Sequence, residues 1–297
     1  MKSPDQSVER IFSCPVLLLG AGGMLGRAWV NLLNLTGDEW YGPTRAELDL
    51  LNEEQISTLC ASNWGVVINC AAWTDVEAAE SREEDAHAIN ALSVGKLAEQ
   101  VKKRNAIFIH YSTDYVFDGN STRRYRVEDK SRPVNAYGRT KRSGEELIEQ
   151  VGCERLVVRT SWLYSPWGKN FVKTILEKAM KETDLSVVHD QVGTPTSAQH
   201  LAQVTARLAN SGARGLWHIT DGGSCSWYEF AKYIVRVTGM NCCVTPCFSP
   251  SVQGIAKRPS YSVLDTSRTE SLVGPFLGWE RMVVDVLQQL GSTHGSE

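Results

Sequence analysis

The chain has 297 residues, of which 42% are hydrophobic, and a formal net charge of −3. A chain of this size can bury a substantial core, in one large domain or one and a half. The charge balance provides no broad basic field, which argues against nucleic acid as a partner. No apolar run approaches the roughly 20 residues that a membrane-spanning helix requires.

The cysteines indicate a reducing compartment. Eight are spread along the chain without the spacing of a disulfide framework. No secretory signal is recognisable, because charged residues occupy the first ten positions and Pro15 breaks the apolar stretch that follows. We therefore expect a cytoplasmic protein with reduced thiols and a loose N-terminal extension at residues 1–14. Cys242, Cys243 and Cys247 lack a fourth ligand, so no metal is assigned to them.

The first predicted elements are a strand, a glycine-rich turn and a helix. Val16–Leu19 is an apolar run with the length of a buried strand, and a segment with helical spacing follows the turn. This is the context that a dinucleotide-binding fingerprint requires. Gly20, Gly23 and Gly26 would permit the tight turn, the approach of a pyrophosphate and the packing of helix on sheet. The helix N-terminus would offer free N–H groups to the phosphates.

The end of the second predicted strand bears on the choice of cofactor. A cofactor without a 2′-phosphate usually meets an acidic residue about 20 residues beyond the glycines. This chain has Thr44 and Arg45 there, with no carboxylate before Glu47, which favours NADPH over NADH. The alternative is that Arg45 is a solvated loop cation. Asp49 could contact the adenine amino group or cap the helix that begins near Asn52.

Apolar strands and helical segments then alternate along the chain. The predicted strands lie at 65–70, 106–111 and 156–159, and the predicted helices at 84–104 and 137–151. This alternation predicts an α/β fold with a doubly wound, Rossmann-type parallel sheet covered on both faces. Ligands bind such sheets beyond the carboxyl ends of the strands. The candidate residues at that edge are Ala72, Trp73, Thr74, Ser112 to Tyr115 and Thr160 to Trp162.

Tyr137 and Lys141 are predicted to share one face of a helix. Residues four apart on a helix are neighbours, so a phenol and an ammonium could act together. The lysine would lower the pKa of the phenol toward the working pH, where it could exchange a proton with a substrate oxygen. A strand-end hydroxyl, from Thr113 or Ser112, could hold the same oxygen.

The pattern becomes looser beyond residue 162. Helices are predicted at about 197–210, 226–239 and 279–290, among loops rich in glycine and proline. We therefore expect a dinucleotide-binding Rossmann domain at 15–162. Residues 163–297 should form mainly a smaller, interleaved substrate-binding lobe, with some segments returning to the first domain.

The chain resembles the dTDP-4-dehydrorhamnose reductases, a group within the extended short-chain dehydrogenase/reductases. The resemblance runs from about Val16 to the C-terminal helix. The motifs that carry it are Gly20-x-x-Gly23-x-x-Gly26, the segments 68–76, 112–119, 137–141, 159–162 and 190–196, and Arg258-Pro259. It implies NADPH-dependent reduction of the 4-keto group of dTDP-4-dehydro-L-rhamnose to dTDP-L-rhamnose.

The resemblance also implies roles for individual residues. Tyr137 would donate the proton, and Thr113 would orient the sugar ketone. Lys141 would lower the pKa of Tyr137 and anchor the cofactor ribose. The implied cofactor contacts are Gly22, Gly23, Met24, Leu25, Asp49, Leu50, Ala72, Trp73, Thr74 and Tyr111. The implied substrate contacts are Val76, Thr113, Asp114, Tyr115, Trp162 and Arg258. The chain departs from the group at Trp73, which is bulkier than expected, and at Ser260-Tyr261-Ser262, where the group often has asparagine.

Two other functions are compatible with these motifs. One is a reductase or epimerase that acts on another nucleotide-sugar. The other is a non-catalytic, dinucleotide-binding regulatory subunit that resembles the β subunit of methionine adenosyltransferase, although the presence of Thr113, Tyr137 and Lys141 argues against it. Members of the reductase group can carry Mg²⁺ through glutamates at a dimer interface. A homodimer and Mg²⁺ are therefore compatible with the resemblance, but no glutamate ligand can be assigned.

Overall fold

The computed structural model describes residues 9–249 and 254–293. Its strands are β1 (Val16–Leu19), β2 (Trp40–Tyr41), β3 (Val66–Asn69), β4 (Ile107–Thr113), β5 (Arg155–Thr160), β6 (Leu163–Tyr164), β7 (Asp184–Val188), β8 (Val192–Gly193), β9 (Thr196–Ser197), β10 (Gly215–His218), β11 (Cys225–Ser226) and β12 (Cys243–Cys247). Its helices are α1 (Met24–Thr36), α2 (Glu53–Cys60), α3 (Val76–Ser81), α4 (Glu83–His87), α5 (Ser93–Lys103), α6 (Ala136–Val151), α7 (Phe171–Ala179), α8 (Ala198–Asn210), α9 (Trp227–Thr238), α10 (Ser267–Val273) and α11 (Trp279–Thr293).

A six-stranded parallel sheet organises the molecule. Its strand order is β10-β5-β4-β3-β1-β2, and every neighbouring pair is parallel. The chain winds one way from β1 to β2 and the other way from β3 to β10, so the direction reverses between β1 and β3. A crevice opens at such a switch point, beyond the carboxyl ends of the strands. The predicted doubly wound Rossmann-type fold is confirmed.

The sheet is buried on both faces. Val16 and Leu18 face a core shared with α1 and α8, whereas Leu17 and Leu19 face a second core shared with α2 and α5. All four side chains of this strand are at most 1% exposed. A strand that is covered on both sides needs apolar residues at every position, which explains the continuous apolar run in the sequence.

The predicted helix at 84–104 is interrupted in the structure. It consists of α4 and α5 joined by a π-helical segment, Ala88–Leu92. Single π-helical turns inside α-helices are rare and are frequently found at functional sites. Here the segment buries Asn90, whose contacts belong to the site described below.

A second lobe has its own core. Tyr164, Phe230 and Trp279 belong to an apolar cluster to which α7, α9 and α11 contribute, and the parallel pair β7–β12 packs against α9. The segment that contains α8 and β10 lies instead with the first core, because α8 packs against α1 and β10 pairs with β5. We propose the bounds 15–162 and 163–297 for the two lobes, with this segment returning to the first.

The start of the described chain is held against the body of the protein. The backbone N–H groups of Ile11 and Phe12 donate to the carboxylate of Asp38 at 3.0 and 2.7 Å. Phe12 is buried, and its ring lies 6.3 Å from that of Trp29. The prediction of a loose extension is therefore wrong for these two residues, while residues 1–8 lie outside the described part. None of the helices in residues 9–249 and 254–293 has the length and apolar composition of a membrane span.

Candidate active site

A cleft of about 870 Å³ lies at the carboxyl ends of β1, β3, β4 and β5. Most of the predicted site residues line it. They are Gly20, Gly23, Met24, Leu25, Thr44, Arg45, Asp49, Leu50, Ala72, Trp73, Thr74, Tyr111, Thr113, Asp114, Tyr137, Lys141 and Trp162. A cleft of this volume is within the range of small-molecule and cofactor sites.

The glycine turn is packed so tightly against neighbouring backbone that Gly20 and Gly26 cannot carry a side chain. Gly20 has φ 75°, and a Cβ there would lie 2.7 Å from the backbone nitrogen of Ala71. A Cβ at Gly26 would lie 2.1 Å from the carbonyl oxygen of Gly20, so α1 can begin directly on the turn. No side chain caps the N-terminus of α1. Its first N–H groups therefore fit the pyrophosphate of a dinucleotide.

Gly22 and Gly26 do not line the cleft. Gly26 lies behind the turn, where it serves packing. A Cβ at Gly22 would meet no described atom within 4 Å, and its carbonyl oxygen accepts a hydrogen bond from Arg27 Nε at 3.1 Å. The space around position 22 does not require a glycine. The cofactor contact expected at Gly22 therefore stays a prediction.

Glu47 occupies the hydrogen-bond donors of Thr44 at the far end of the cleft. Its Oε2 accepts from the backbone N–H and from the hydroxyl of Thr44, at 2.7 and 2.8 Å. These bonds, led by the one from the backbone, lower the pKa of the Glu47 carboxyl. Arg45 is exposed on the cleft and pairs with no other residue in the described part of the chain. At this end of the cleft the Arg45 guanidinium is therefore available to a ligand, whereas the two donors of Thr44 are already bonded to the Glu47 carboxylate.

Asp49 does not cap the following helix. Asn52 fulfils that role, because its Oδ1 accepts from the backbone N–H of Gln55 at 3.0 Å. The Oδ1 atom of Asp49 accepts instead from the backbone N–H of Leu51, within the same turn. The capping alternative is therefore wrong. Asp49 lines the cleft, where it is available to a ligand.

Helix α6 and strand β4 bring the predicted catalytic residues together. Asn135 caps α6 through a hydrogen bond from the backbone N–H of Gly138 at 2.8 Å, which fixes Tyr137 in the first turn. Thr113 ends β4, and its hydroxyl lies near enough to the phenol of Tyr137 to oppose the rise of the phenol's pKa. Lys141 follows one turn later and lines the same cleft.

The electrostatics of this group differ from the prediction. The pKa of Tyr137 is raised above its ordinary value, mainly by burial and then by the charge of Asp114, while Thr113 lowers it. Lys141 points toward the backbone of β4, where its Nζ donates to the carbonyl oxygen of Tyr111 at 2.6 Å. The expectation that Lys141 lowers the pKa of Tyr137 is therefore wrong, because desolvation dominates.

Lys141 is itself perturbed by burial. Only 2% of its surface is exposed, and desolvation lowers the pKa of its ammonium group to about 8, although Glu145 opposes this shift. Its Nζ also lies 3.4 Å from Nε2 of His110, which is completely buried. The charge of this lysine is therefore sensitive to pH near neutrality.

Asp114 presents a buried carboxyl group next to the catalytic residues. It is 2% exposed, and its Oδ1 accepts from the Thr113 hydroxyl at 3.0 Å. Burial raises the pKa of Asp114 to about 7, against the effect of nearby hydroxyl and backbone donors that include Ser262. A hydrogen-bonding carboxyl at this depth can fix the orientation of a polar ligand.

Trp162 is held rigidly at the border between the two lobes. It has a positive φ of 46°, and its ring stacks on that of Trp227 with centroids 3.5 Å apart and an interplanar angle of 8°. Gly193 packs on the ring, where a Cβ would lie 2.6 Å from Cε2 of Trp162. The same residue lines the cleft. Because Trp227 and Gly193 both pack on its ring, Trp162 offers a ligand a fixed border rather than a free ring face.

Three predicted substrate contacts do not line the cleft. Val76 begins α3. Arg258 Nη2 forms an ion pair with Glu77 Oε1 at 2.6 Å, which ties its loop to that helix. Tyr115 packs edge-on against Tyr137 with ring centroids 6.1 Å apart, and burial raises the pKa of its phenol, which Arg258 opposes. None of the three lines the cleft, and their contact with substrate stays a prediction.

Asn90 is a residue of the site that the sequence did not reveal. Its Oδ1 accepts from the backbone N–H of Trp73 at 2.9 Å, and its Nδ2 donates to Trp73 O and Thr140 Oγ1 at 3.0 and 3.1 Å. It thus joins the loop after β3 to the catalytic helix. No local pattern marks a single asparagine inside a helix for such a role, because its partners are distant in sequence. Gly168, from a loop of the second lobe, also lines the cleft unpredicted.

The described residues provide no metal site. Within residues 9–249 and 254–293, no three His, Cys, Asp or Glu side chains are grouped in a way that could hold a metal ion. Mg²⁺ is not supported by any arrangement in this part of the chain. All eight cysteines are free thiols.

Comparison with known proteins identifies close relatives. The family described as RmlD substrate binding domain matches residues 14–292. The spore coat polysaccharide biosynthesis protein SpsK of Bacillus subtilis is 34% identical, over 93% of this chain and 98% of its own. The crystal structure of a dTDP-4-dehydrorhamnose reductase from Clostridium acetobutylicum superposes with a TM-score of 0.91 at 36% identity, covering 93% of this chain and 99% of that one. A dTDP-4-dehydrorhamnose reductase from Bacillus anthracis, solved in complex with NADP, gives 0.90 at 32% identity, with 94% and 100% covered.

Proposed function

The chain belongs to the RmlD substrate binding domain family, and from this we propose that it reduces the 4-keto group of dTDP-4-dehydro-L-rhamnose to give dTDP-L-rhamnose. It is an NAD(P)H-dependent oxidoreductase of nucleotide-sugar synthesis. One observation supports this function most strongly. Tyr137, Thr113 and Lys141 stand together in the cleft that begins at the glycine turn.

The chain's own residues bind and orient the reactants. The turn around Gly20 and the uncapped N-terminus of α1 fit the cofactor pyrophosphate. When bound, the cofactor supplies the hydride that reduces the ketone carbon. Thr113 would hold the ketone oxygen by a hydrogen bond, and Asp114 would orient the sugar. The fixed side chain of Trp162 would border the nucleotide end of the substrate.

Tyr137 would supply the proton. Because its pKa is raised, the phenol stays protonated at neutral pH, as an acid must before it donates. The proton would pass to the ketone oxygen as the hydride reaches the carbon, and the ketone becomes an alcohol. Lys141, which lines the same cleft one helical turn away, would stabilise the phenolate that is left behind.

NADPH is the cofactor that we propose, over NADH. Arg45 supports this choice because it is a free, exposed cation on the cleft near the expected position of the adenosine ribose. Glu47 works in the opposite direction, since it engages both donors of Thr44 and would bring a negative charge toward a 2′-phosphate held by Arg45. We therefore propose that the preference for NADPH depends on Arg45 alone and is modest.

A direct assay tests the proposed function. Purified protein is mixed with dTDP-4-dehydro-L-rhamnose and NADPH, and the loss of nicotinamide absorbance is followed while the sugar product is identified. Formation of dTDP-L-rhamnose is expected. Oxidation of the cofactor only with a different nucleotide-sugar would replace the substrate in this proposal. Tight dinucleotide binding without any turnover would reject the enzyme function.

A further inference from the structure

His110 lies directly beneath the catalytic lysine. It is in the middle of β4, completely buried, on the side of the sheet that faces α6. Its Nε2 is 3.4 Å from Lys141 Nζ, and its Nδ1 is 3.2 Å from the side-chain nitrogen of Asn69. Each ring nitrogen therefore has one neighbour, and the two neighbours determine which nitrogen carries the proton.

The orientation of the Asn69 amide is fixed by the backbone. Its Oδ1 accepts from the backbone N–H of Ala71 at 3.0 Å, so the oxygen side of the amide is already used. The NH₂ side then faces Nδ1 of His110. An amide nitrogen donates and does not accept, so Nδ1 must provide a lone pair.

The proton of the imidazole must consequently be on Nε2. A neutral histidine with an unprotonated Nδ1 carries its hydrogen on the other nitrogen. That N–H points at Lys141 Nζ, whose ammonium form has three donors and no acceptor. A hydrogen bond between the two forms only when the lysine is a neutral amine, whose lone pair can accept.

We propose that Asn69 and His110 act as a positioning pair that favours the neutral amine of Lys141 and so sets the pH at which this lysine becomes charged beside Tyr137. The catalytic meaning of the pair rests on the proposed function. The contacts of the pair are properties of the ligand-free chain.

The surroundings of Lys141 agree with this assignment. Burial lowers the pKa of Lys141 to about 8 and holds the pKa of His110 well below its ordinary value. Glu145, one turn further along α6, opposes the shift, but its carboxylate is engaged by Arg159 through bonds of 2.8 and 2.7 Å. The other titratable groups that line the cleft next to Lys141 are Cys70, Tyr111, Asp114 and Tyr137.

The sign of the pH effect follows from these contacts. Lys141 is charged below its pKa and neutral above it, so a reaction that needs the ammonium loses rate as the pH rises through that value. In the proposed arrangement the N–H of His110 adds to the effect of burial, which lowers the pKa of Lys141. A variant that replaces the N–H by an acceptor should raise it and extend activity to higher pH.

Lysine-selective ¹³C labelling of the ligand-free protein tests the pair directly by NMR titration. A Lys141→Met variant identifies the signal. Wild-type Lys141 should titrate near pH 8, apart from exposed lysines at about 10.4. In His110→Gln the side-chain oxygen can accept from the ammonium, and the pKa should rise by about one unit. His189→Gln, which alters a histidine that packs on Phe248 instead, should change nothing. The proposal would be overturned if wild-type Lys141 titrated at the same pH as the exposed lysines. It would also be overturned if the pKa of Lys141 were the same in His110→Gln as in the wild type.

A second variant tests the tautomer without relying on the lysine. Long-range ¹H–¹⁵N spectra of the histidine rings should show the wild-type His110 proton on Nε2. Asn69→Asp offers an oxygen to Nδ1, so the proton should move to Nδ1 and leave Nε2 free to accept from Lys141. A wild-type ring with its proton on Nδ1 would reject the mechanism.

The reductase assay separates this proposal from the proposed function. An inactive wild-type protein whose Lys141 titrates near pH 8 and responds to His110→Gln would reject the function and leave the pair intact. An active enzyme in which the pKa of Lys141 does not change in His110→Gln would reject the role of Asn69 and His110 and leave the proposed function intact.

Discussion

The phenol of Tyr137 is the group whose loss should affect turnover most selectively. Tyr137→Phe removes the proton donor but keeps the ring that packs against Tyr115. We expect kcat to fall by about 10²–10⁴, the usual worth of a positioned general acid. The Kd for NADP⁺ should change little, because the phosphate contacts are elsewhere. Undiminished turnover, measured beside unchanged cofactor binding, would contradict the role of Tyr137.

Arg45 is the residue on which the proposed cofactor preference depends. Arg45→Ala should reduce the ratio of NADPH to NADH efficiency about tenfold, which corresponds to about 1.4 kcal/mol, near the lower end of what a hydrogen bond to a charged group contributes. Glu47→Gln should change the ratio in the opposite direction, because it removes a negative charge next to the 2′-phosphate. Both ratios come from kcat/KM measured with the two cofactors. Equal ratios in the wild type and Arg45→Ala would show that the cofactor is selected elsewhere.

The buried carboxyl of Asp114 should make stability depend on pH. Its pKa in the folded protein is about 7, above the ordinary value of 3.8, so the folded state loses stability as the pH rises between these values. Asn cannot ionise. Asp114→Asn should therefore gain Tm relative to the wild type from pH 4 to pH 7, by a few degrees, and gain no more above that range.

Thermal unfolding at a series of pH values measures this effect. A difference in Tm that is the same at every pH would show that Asp114 does not titrate in this window. The KM for the nucleotide-sugar should rise in the same variant, because Asn has one acceptor oxygen where the carboxylate has two. The stability gained is thus expected to come with weaker substrate binding.

At the scale of elements, the packing of α6 on the π-helical segment positions the site. A Cβ at Gly144 would lie 2.2 Å from the carbonyl oxygen of Asn90. Gly144→Ala should therefore force the two elements apart and reduce the free energy of unfolding by about 1–3 kcal/mol. Gly291→Ala is the matched control, since Gly291 is also helical but has no described atom within 4 Å of an added Cβ.

Urea denaturation of both variants distinguishes close packing from helix propensity. The control should be unchanged or more stable by up to about 1 kcal/mol, because alanine favours helix more than glycine does. Equal effects at the two positions would show that the contact between Gly144 and Asn90 has no consequence for stability.

Elements that are contiguous in sequence could be predicted, and contacts between distant elements could not. The strand, glycine turn and α1 follow one another, so the spacing of Gly20 and Gly26 was sufficient to locate the start of the cleft. Tyr137 and Lys141 are related by one helical turn. The orientation of Lys141 toward the carbonyl of Tyr111 depends instead on a strand that is 30 residues away in sequence. The predicted direction of the pKa shift of Tyr137 was wrong for the same reason, since the burial that raises this pKa is a property of the assembled fold.

At the scale of the whole molecule, a buried polar network joins the two lobes. Asp221 accepts from Tyr164 OH at 2.9 Å and from the backbone N–H of Ser197 at 3.0 Å, and it lies 2.7 Å from His200 Nδ1. Tyr164 belongs to the core of the second lobe, whereas His200 is on α8, which packs with the first. The network therefore fixes how the lobes meet beside the cleft.

Removal of one hydroxyl from this network should weaken the contact between the two lobes and lower the stability of the protein. Tyr164→Phe leaves a buried carboxylate oxygen with one partner fewer, which should cost about 1–3 kcal/mol of unfolding free energy. Tyr228→Phe is the control, because the hydroxyl of Tyr228 has no hydrogen-bond partner in the described chain. Denaturant titration should separate the two variants. A loss of stability as large in the control would mean that the network does not hold the lobes.

The return of β10 to the edge of the large sheet has a consequence for biosynthesis. The strand that completes this sheet, Gly215–His218, is made only after the ribosome has already produced β6 to β9 and α7. Domains that are continuous in the chain can fold in succession as they emerge. Here the sheet strands up to β5 are made before β10, the strand that pairs with β5. The nascent polypeptide would therefore expose the edge of β5 until most of translation has finished.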